Sequence, residues 1–429
     1  MKKESIYKVI IAFLFLALVI ISVYTFSLQE KQNPVFYYVP PERSFIYSSE
    51  EFSEFGFEEY IKEKITTEKE KLINDRRSFI YVNLKEMKLT LYEEGVINES
   101  FEVKAKGKVG SFWETPPGVY FVGEKLAIHF STIAEVWMPY GIQFYGNFFI
   151  HGWPFDRAGR ALSSGSSGGC VRLQTVDAKV VYQFAERGMP VLIFEEKLIP
   201  PLPALVGDKE INPFIDIESE SLLVADLDTG EMILTKDIES EIYAGPISLG
   251  MMALTGSEMV SLGRRITARD WMISGIGENI IVPGRSYQGH QLISAMISQS
   301  SQEAALVFSR FLTPDAFVDA MNIKAQSIGM SGTRFVDVTG RSKENRTTLI
   351  DSAKMLRYIH QYRGFIIQND AVIKGPGEGG TGSYFAIYKM EKSDGVNRNI
   401  IISFANSSNP KEDLENILLW LDDNIGLKK

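Results

Sequence analysis

A proline-rich segment at residues 197–214 divides the chain into two parts with different hydrophobic patterns. Four prolines within this segment lack the backbone N–H that regular structure needs, which is typical of a linker. Before it, at residues 78–196, short apolar runs alternate with turns, whereas helical patterns dominate at residues 215–429. A chain of 429 residues is also long for one core, so we expect two folded domains.

The N-terminal region predicts a membrane anchor at residues 1–29. Residues 9–26 carry no charge, begin with an unbroken apolar run, and follow three lysines. An uncharged helix of about 18 residues approaches the thickness of a bilayer core, and the lysines keep the N-terminus in the cytoplasm. A cleaved signal peptide is the alternative, because the apolar run also fits its hydrophobic region. We expect a single-pass anchor with all later residues extracytoplasmic.

A stalk and a spacer helix are expected at residues 30–77. Three prolines fall in the first part of this segment, and many Glu and Lys residues fill the second part. The apolar residues of the second part recur at near-helical spacing, namely Phe57, Ile61, Ile65 and Leu72. This pattern favours a solvated amphipathic helix over a partner-binding helix.

Composition excludes several classes of protein. The formal net charge of -9 argues against a nucleic-acid-binding protein, which needs a surplus of Lys and Arg to displace counterions. Cys170 is the only cysteine, which excludes an intrachain disulfide, a cysteine-based zinc site and an iron–sulfur cluster. An exported protein seldom keeps a lone thiol unless the thiol is buried or has a function.

The segment 78–196 is predicted to form a mostly-β domain. Five apolar runs bounded by turn residues predict strands at residues 79–83, 88–92, 118–122, 147–150 and 191–194. One helix is expected from Thr175, as its N-cap, to Arg187, with Gly188 ending it.

The segment 215–429 is predicted to form an α/β domain in which helices pack against a sheet. The strands are expected at residues 222–225, 232–234, 384–390 and 399–405. The helices are expected near residues 291–311, 315–328, 348–362 and 411–424. A G-x-G-x-x-G spacing at residues 375–380 precedes a strand rather than a helix, so we interpret it as a loop and not as a dinucleotide site.

Reactive side chains are concentrated around Cys170. His151 ends an apolar strand, and Cys170 follows a loop of Ser and Gly at residues 163–169. Glycines next to a nucleophile allow backbone N–H groups to turn toward a developing oxyanion, and a nearby imidazole can activate a thiol for acyl transfer. Arg172 adds a charge that can hold a carboxylate or lower the thiol pKa. Each feature alone has a structural explanation, but together they favour a cysteine acyl-transfer site.

This arrangement resembles the catalytic motif of L,D-transpeptidases with a YkuD-type domain. The family pattern is His-Gly or His-Ser, followed by Ser-x-Gly-Cys-x-Arg or Asn. Here His151-Gly152 precedes Ser167-Gly168-Gly169-Cys170-Val171-Arg172, with 19 residues from the histidine to the cysteine. Flanking matches occur at Thr115-Pro116-Pro117-Gly118, Met138-Pro139-Tyr140 and Asp177. The resemblance covers residues 78–196 and implies the fold and activity of that family.

The resemblance implies a role for each motif residue. Cys170 would be the nucleophile that attacks the carbonyl after the third residue of a peptidoglycan stem peptide. His151 would be the general base and acid. The Gly152 carbonyl would orient His151, and the N–H groups of Gly169 and Cys170 would form the oxyanion hole. Substrate contacts are expected from Ser167, Gly168, Arg172, Tyr140 and Trp153.

Histidines other than His151 are not expected to take part. Many family members have a histidine where this chain has Gly168, so His151 is expected to be the only histidine near Cys170. His129, His290 and His360 lack metal-ligand spacing, and we expect them to have packing or surface roles.

The resemblance also implies partners and alternatives. Peptidoglycan stem peptides would be the substrates, the N-terminal helix would bind the bacterial membrane, and carbapenem-type inhibitors would react with the thiol. No metal, organic cofactor or nucleic acid is expected. Transfer to an amine of another stem makes a cross-link, whereas transfer to water makes an L,D-carboxypeptidase. A non-catalytic peptidoglycan-binding scaffold is the alternative outside the enzymes.

Residues from about 220 resemble serine D-Ala-D-Ala carboxypeptidases of the penicillin-binding, β-lactamase-like fold. The resemblance rests on scaffold positions at residues 223–231, 316–322, 328–335 and 348–353. The catalytic elements of that fold are altered. No lysine follows a serine by one helical turn at residues 245–252, and Ser300-Ser301-Gln302 stands in place of Ser-x-Asn. Lys374-Gly375-Pro376-Gly377 lies near the expected Lys-Thr-Gly.

These changes predict a degenerate carboxypeptidase-like domain at residues 215–429. It would bind stem peptides or partners, or it would position the cysteine domain, but it would not act as a serine enzyme.

Overall fold

The computed structural model describes residues 60–111, 113–131, 134–162, 167–196, 202, 205, 214–367, 371–376, 382–392 and 395–428, with only the backbone at 371–376. The predicted anchor at 1–29 and most of the stalk and linker lie outside these residues, as do part of the Ser/Gly loop and most of the 375–380 loop. Within the described part, none of the helices combines the length and apolar character that a membrane span requires. All described residues belong to one compact unit.

The first described element is helix α1 (Tyr60–Asn74), which has one buried face. Ile61, Ile65 and Leu72 join the largest apolar core, and the Tyr60 hydroxyl donates to the Lys354 carbonyl oxygen at 2.7 Å. The helical spacing of these residues therefore serves to pack the helix against the rest of the chain, whereas we expected a solvated spacer.

The first domain contains two sheets. One is formed by β1 (Phe79–Asn83), β2 (Lys88–Glu93), β3 (Val96–Glu102), β4 (Gly118–Phe121) and β9 (Pro190–Phe194), in the order β3-β2-β1-β9-β4. The other is formed by β5 (Lys125–Ser131), β6 (Val136–Tyr145), β7 (Phe148–His151) and β8 (Val171–Arg172), in that order. Ile80 and Val82 of one sheet share a core with Ile142, Ile150 and Val171 of the other. The predicted β-rich domain is confirmed.

Sequence periodicity missed β5 and β6. Every residue of β5 is at least partly exposed, so the strand lacks the alternation that marks a half-buried strand. Strand β6 contains Pro139 and Gly141, and Tyr140 between them has a positive φ of 54°. Pro and Gly within an apolar run argue against a strand, which is why this one was not predicted.

Helix α2 (Thr175–Phe184) differs from its prediction at both ends. Gln174 is its N-cap, and the Thr175 hydroxyl instead accepts a hydrogen bond from the Trp153 N–H at 3.1 Å. The helix ends at Phe184 because Ala185 is already extended, so Gly188 does not terminate it. The predicted N-cap was therefore wrong.

The second domain is built on a sheet that is buried on both faces. Its strands are β10 (Ser221–Asp226), β11 (Met232–Lys236), β16 (Ala371–Pro376), β17 (Gly382–Lys392), β18 (Asn397–Ser407) and β19 (Leu427–Lys428). The order is β11-β10-β18-β17-β16, with β19 beside β17. Alternate residues of β10 enter different cores: Leu223 and Ala225 pack with the helices of the largest core, and Leu222 and Val224 pack in a second core.

The helices of this domain are α3 (Ile247–Met259), α4 (Asp270–Ile273), α5 (Gly289–Ser298), α6 (Gln302–Ser309), α7 (Pro314–Ser327), α8 (Leu349–Tyr362) and α9 (Pro410–Ile425). Two short ladders complete the domain, β12 (Ile242–Tyr243) with β15 (Arg346–Thr347) and β13 (Arg265–Thr267) with β14 (Ser286–Gln288). The layer of helices against a sheet is confirmed.

The single helix predicted near 291–311 was wrong, because two helices occupy this segment. Ser300 has a positive φ of 51°, which breaks the helical path, and the Ser301 side chain accepts from the Ala304 N–H to start α6. Helix α3 was not predicted. Nearly all of its residues are buried, so it has no polar face to reveal a helical period.

Candidate active site

Strands β7 and β8 place His151 and Cys170 on the same face of their sheet. The two strands are parallel, with Ile150 opposite Val171 and His151 opposite Arg172. Since alternate residues point to opposite faces, Ile150 and Val171 enter the core while His151 and Arg172 point away from it. Cys170 directly precedes β8, and by the same alternation it shares the face of Arg172.

These side chains border a cavity of about 460 Å³. The predicted site residues His151, Ser167, Gly168, Cys170 and Arg172 all line it. The wall also contains residues that sequence reasoning missed, including Trp113, His129, Met138, Asn147, Phe149 and Glu258. The combination of an apolar wall with a few polar groups is typical of a small-molecule or peptide site.

Cys170 carries a neutral thiol in this environment. The residue is buried, and Sγ donates a weak hydrogen bond to the Asn147 carbonyl oxygen at 3.7 Å. Burial raises the pKa of the thiol to about 11, although a backbone hydrogen bond from Phe149 and the charge of Arg172 act in the opposite direction. Among the hydrogen bonds of the described residues, none joins Sγ to the His151 ring.

His151 is fixed as a neutral base. Its Nδ1 lies 2.6 Å from the Gly152 carbonyl oxygen, which can only accept, so Nδ1 carries the proton and Nε2 keeps its lone pair. Burial lowers the pKa of the ring to about 4, the Gly152 hydrogen bond raises it, and the nearby charges of Arg172 and His129 lower it further. The imidazole is therefore uncharged at neutral pH.

The turn before Cys170 requires glycine at position 169. Gly169 has a φ of +102°, and a Cβ there would overlap the Phe148 ring. The turn is held by the Thr115 hydroxyl, which donates to the Gly169 carbonyl oxygen at 2.8 Å, and by Ser167, whose hydroxyl donates to the Cys170 carbonyl oxygen. The Gly169 N–H donates to Ser167 Oγ at 3.2 Å, so its role in an oxyanion hole stays a prediction.

Arg172 places a positive charge on the cavity wall, and no carboxylate among the described residues forms an ion pair with it. The residue is only 6% exposed, and its Nε has no hydrogen-bond partner in the described structure. The guanidinium carbon lies 5.3 Å from the centre of the Trp153 ring, and Trp153 Nε1 donates to the Leu162 carbonyl oxygen at 2.8 Å. A buried guanidinium without a carboxylate partner is suited to an anionic group of a ligand.

Two predicted substrate contacts do not line the cavity. Trp153 supports Arg172 instead of bordering the cavity. Tyr140 packs against Tyr182 of α2, with 5.7 Å between ring centres, and is likewise absent from the lining. Its positive φ of 54° bends β6 at this point.

His129 lies in the same cavity, so the expectation that His151 is the only histidine near Cys170 was wrong. Strands β5 and β6 pair with His129 opposite Met138, and the His129 ring stacks on Phe149 with 4.7 Å between centres. Burial lowers the pKa of His129. The Met138-Pro139-Tyr140 motif lies in β6, the strand that pairs with β5. It therefore points to His129 only once β5 is itself recognised as a strand.

The second domain contributes Glu258, near the end of α3, to the cavity wall. Its carboxylate lies 2.8 Å from Lys324 Nζ and 2.8 Å from a terminal nitrogen of Arg363, and all three side chains are fully buried. Lys324 donates to the Tyr120 hydroxyl at 3.0 Å, and Arg363 donates to the Glu114 carbonyl oxygen at 3.0 Å. Burial lowers the pKa of Lys324 to about 8, although Glu258 raises it. This ion cluster therefore joins the two domains beside the cavity.

Asn147 makes a second connection between the domains. Its side-chain nitrogen donates to the carbonyl oxygen of Met259, the last residue of α3, at 2.5 Å. Its backbone carbonyl is the acceptor for the Cys170 thiol. A short path of hydrogen bonds thus leads from α3 to the sulfur.

The start of α3 differs from a serine-enzyme site. Ser248 is fully buried, and its hydroxyl has no hydrogen bond within the described structure, with a lysine or otherwise. Ser301 is used as a helix cap and donates to Glu278 at 2.9 Å. Lys374 lies in β16.

The remaining histidines lie outside the cavity. His290 is exposed, and His360 Nε2 lies 2.9 Å from Asp228 Oδ1. No group of His, Cys, Asp and Glu in the described ranges is arranged to hold a metal ion.

Two family models match the chain. Residues 77–193 match the model of the L,D-transpeptidase catalytic domain, and residues 208–370 match that of the D-alanyl-D-alanine carboxypeptidases.

Two curated relatives are D-alanyl-D-alanine endopeptidases. The protein of Pseudomonas aeruginosa is 26% identical over 155 residues, which are 34% of this chain and 49% of that protein. The protein of Escherichia coli is 29% identical over 157 residues, again 34% of this chain and 49% of that protein. The chain thus spans about half the length of these relatives.

Solved structures give a weaker likeness. A D-alanyl-D-alanine carboxypeptidase from Mycobacterium tuberculosis has a TM-score of 0.43 and 17% identity, covering 51% of this chain and 97% of its own. Penicillin-binding protein D2 from Listeria monocytogenes, in its ampicillin-bound form, has a TM-score of 0.40 and 16% identity, covering 48% and 98%.

Proposed function

We propose that this chain, which carries a YkuD L,D-transpeptidase domain followed by a D-alanyl-D-alanine carboxypeptidase domain, is a cysteine-dependent peptidoglycan L,D-transpeptidase. The observation that carries the proposal is that Cys170, His151 and Arg172 border one cavity, and that no described carboxylate forms an ion pair with Arg172. A nucleophile, a base with a defined tautomer and an anion-binding group are the parts that acyl transfer from a carboxylate-bearing peptide needs.

The neutral state of both groups suggests how the thiol is activated. His151 Nε2 takes the proton as Sγ attacks the carbonyl after the third stem residue, so the thiolate forms only during attack. The imidazolium then gives that proton to the leaving amine of the terminal residue, and a thioester remains on Cys170. An acceptor amine attacks the thioester and loses a proton to His151, which returns one to the departing sulfur. Arg172 would hold a carboxylate of the donor peptide.

We propose the domain limits 78–196 for the cysteine domain and 215–429 for the second domain, with a linker at 197–214. The stalk at 30–77 and a single-pass anchor at 1–29 would keep both domains at the outer face of the membrane. The peptidoglycan stem peptides that the cysteine domain would use as donor and acceptor are found in this compartment.

The second domain would act by positioning the cysteine domain and not by its own chemistry. Ser248 is buried, and its hydroxyl has no hydrogen bond to a lysine or to any other described residue, which argues against a serine nucleophile. In contrast, Glu258 borders the cysteine cavity, and Met259 holds Asn147, whose carbonyl accepts the thiol hydrogen. Labelled penicillin should therefore leave no serine adduct on residues 215–429, and a stoichiometric serine adduct there would overturn this part of the proposal.

The decisive experiment is mass spectrometry of the full chain after incubation with a carbapenem and, separately, with disaccharide-tetrapeptides. We expect a single adduct on Cys170 and the formation of cross-linked dimers, and both should be absent from Cys170→Ala. Trimmed tripeptides without dimers would identify an L,D-carboxypeptidase. Full activity of Cys170→Ala would contradict the mechanism, and tight peptidoglycan binding with neither adduct nor product would indicate a scaffold.

A further inference from the structure

Five exposed arginines belong to one part of the second domain, formed by the β13–β14 ladder and helices α4 and α6, and none of them lines the cysteine cavity. Arg265 begins β13, and β13 pairs with β14. The others stand beside this ladder and the neighbouring helices. We call the set the arginine patch, and it consists of Arg264, Arg265, Arg269, Arg285 and Arg310.

The arginine patch has no carboxylate partners. None of its members forms an ion pair with any described residue. The segment 261–312 contains three acidic residues, and two of them point their oxygens at backbone N–H groups. Glu303 accepts from the N–H groups of residues 278–281, and Glu278 accepts from those of residues 302 and 303. Asp270 is thus the only acidic residue of this segment whose carboxylate is not shown binding backbone N–H groups in the described structure, in a chain whose net charge is -9.

Aromatic rings hold three of the five guanidinium groups in place. Arg264 lies over Phe311, Arg285 over Tyr287 and Arg310 over Trp271, with 5.5, 5.4 and 5.1 Å between guanidinium carbon and ring centre. The Trp271 residue is itself 62% exposed. Stacking limits the motion of a guanidinium, so these groups are presented as fixed forks for planar anions.

We infer that the arginine patch binds a linear anionic carbohydrate polymer of the cell wall, through carboxylate or phosphate groups spaced along the chain. Fixed guanidinium groups suit anions at defined intervals, and an exposed indole suits a sugar ring. Attraction to a lipid surface needs only charge near the headgroups and no fixed geometry. The inference rests on the proposed function in one respect: that function places the second domain outside the membrane, where such a polymer is found.

Sedimentation of the full chain with peptidoglycan sacculi tests the inference. We expect the wild type to bind sacculi. Its affinity should fall steeply as salt is added, because salt screens the attraction between the arginines and the anions. The double reversal Arg265→Glu/Arg285→Glu should bind at least about tenfold less, a loss of about 1.4 kcal/mol. The matched control Lys343→Glu/Lys411→Glu changes the net charge equally, uses exposed lysines of the same domain, and should bind like the wild type. Circular dichroism establishes that each variant is folded.

Further measurements distinguish carboxylate from phosphate as the anion that binds, and the cell wall from a lipid membrane as its source. Sacculi stripped of phosphate polymers report on carboxylates, and untreated sacculi report on both, so the inference is supported by binding to either that the patch variant loses. Equal binding by the patch variant and the wild type would overturn it. Patch-dependent binding to phosphatidylglycerol vesicles, without binding to sacculi, would overturn it in favour of a lipid surface. Thioester formation with a soluble carbapenem is scored separately, so failure of the cysteine mechanism is distinguishable from failure of the patch.

Discussion

His151 holds its Nδ1 nitrogen 2.6 Å from the carbonyl oxygen of Gly152, the next residue of the chain. This contact selects the tautomer in which Nε2 is the free base. Burial lowers the pKa of the imidazole to about 4 and raises that of the Cys170 thiol to about 11. Both groups are therefore neutral at pH 7, and the resting cavity holds a thiol and an imidazole and not a thiolate–imidazolium pair.

The first prediction concerns the reactivity of the free thiol. Because the thiolate is the reactive form and the pKa of Cys170 is raised to about 11, alkylation by iodoacetamide should be slow at pH 7. The rate should keep rising beyond pH 9, and Cys170→Ala provides the blank. Stopped-time mass spectrometry of the alkylated protein gives the rates. A rate that reaches its plateau below pH 7 would reveal a stable ion pair and contradict the neutral resting state.

The second prediction concerns stability in acid. The pKa of His151 is lowered to about 4 in the folded state, so between its ordinary pKa and this value the unfolded chain binds a proton that the folded chain does not. Unfolding is favoured as the pH falls through this window, and the loss attributable to His151 is of the order of 3 kcal/mol. Urea unfolding of the wild type and of His151→Gln at pH 7 and pH 4.5 measures it. The variant should lose less stability between the two pH values, and equal losses would refute the assignment.

The third prediction concerns Gly169, which combines a φ of +102° with a position against the Phe148 ring. Gly169→Ala adds left-handed strain and overpacking, so we expect a loss of roughly 2–5 kcal/mol in the free energy of unfolding, with slower carbapenem acylation. Gly188→Ala is the matched control, because Gly188 has a φ of +82° but open space around it. That variant should lose only about 1–2 kcal/mol. Equal losses would mean that the ring contact is unimportant.

The sequence predicted the parts of the site that depend on local pattern. The strand that ends at His151 and the Gly-Gly-Cys turn were recognisable because apolar runs and glycines restrict the backbone locally. His129 and Glu258 were not recognisable as cavity residues. His129 reaches the cavity through the pairing of β5 with β6, and β5 has no buried face to produce a periodic signal.

The place of Glu258 in the cavity was even harder to predict from sequence, because this residue belongs to the second domain. Helix α3 is buried almost entirely, and its sequence carries no sign of which side chain meets the first domain. Contacts between Glu258 and Lys324 or Arg363 join residues that are far apart in the chain. Such pairings depend on how separately folded layers pack, which hydrophobic periodicity does not encode.

The final prediction tests whether the ion cluster couples the two domains. Glu258→Gln leaves the buried charges of Lys324 and Arg363 without their carboxylate, and removing one partner of a buried pair costs about 3–5 kcal/mol. Lys324→Met removes one of the two cations and leaves the Glu258–Arg363 pair intact, so it should cost less. Urea unfolding followed by tryptophan fluorescence gives the free energies.

If the ion cluster couples the two domains, Glu258→Gln should also change the protection of Cys170 in the first domain. Cys170 belongs to the first domain, so in Glu258→Gln it should become alkylatable at a lower urea concentration than in the wild type, although the substitution lies in the second domain. Glu415→Gln is the control, since Glu415 pairs with Lys411 at 3.7 Å on the surface and its loss should cost at most about 0.5 kcal/mol. If Glu258→Gln lowers stability while the protection of Cys170 is unchanged, the cluster stabilises the second domain alone and does not position the cysteine site.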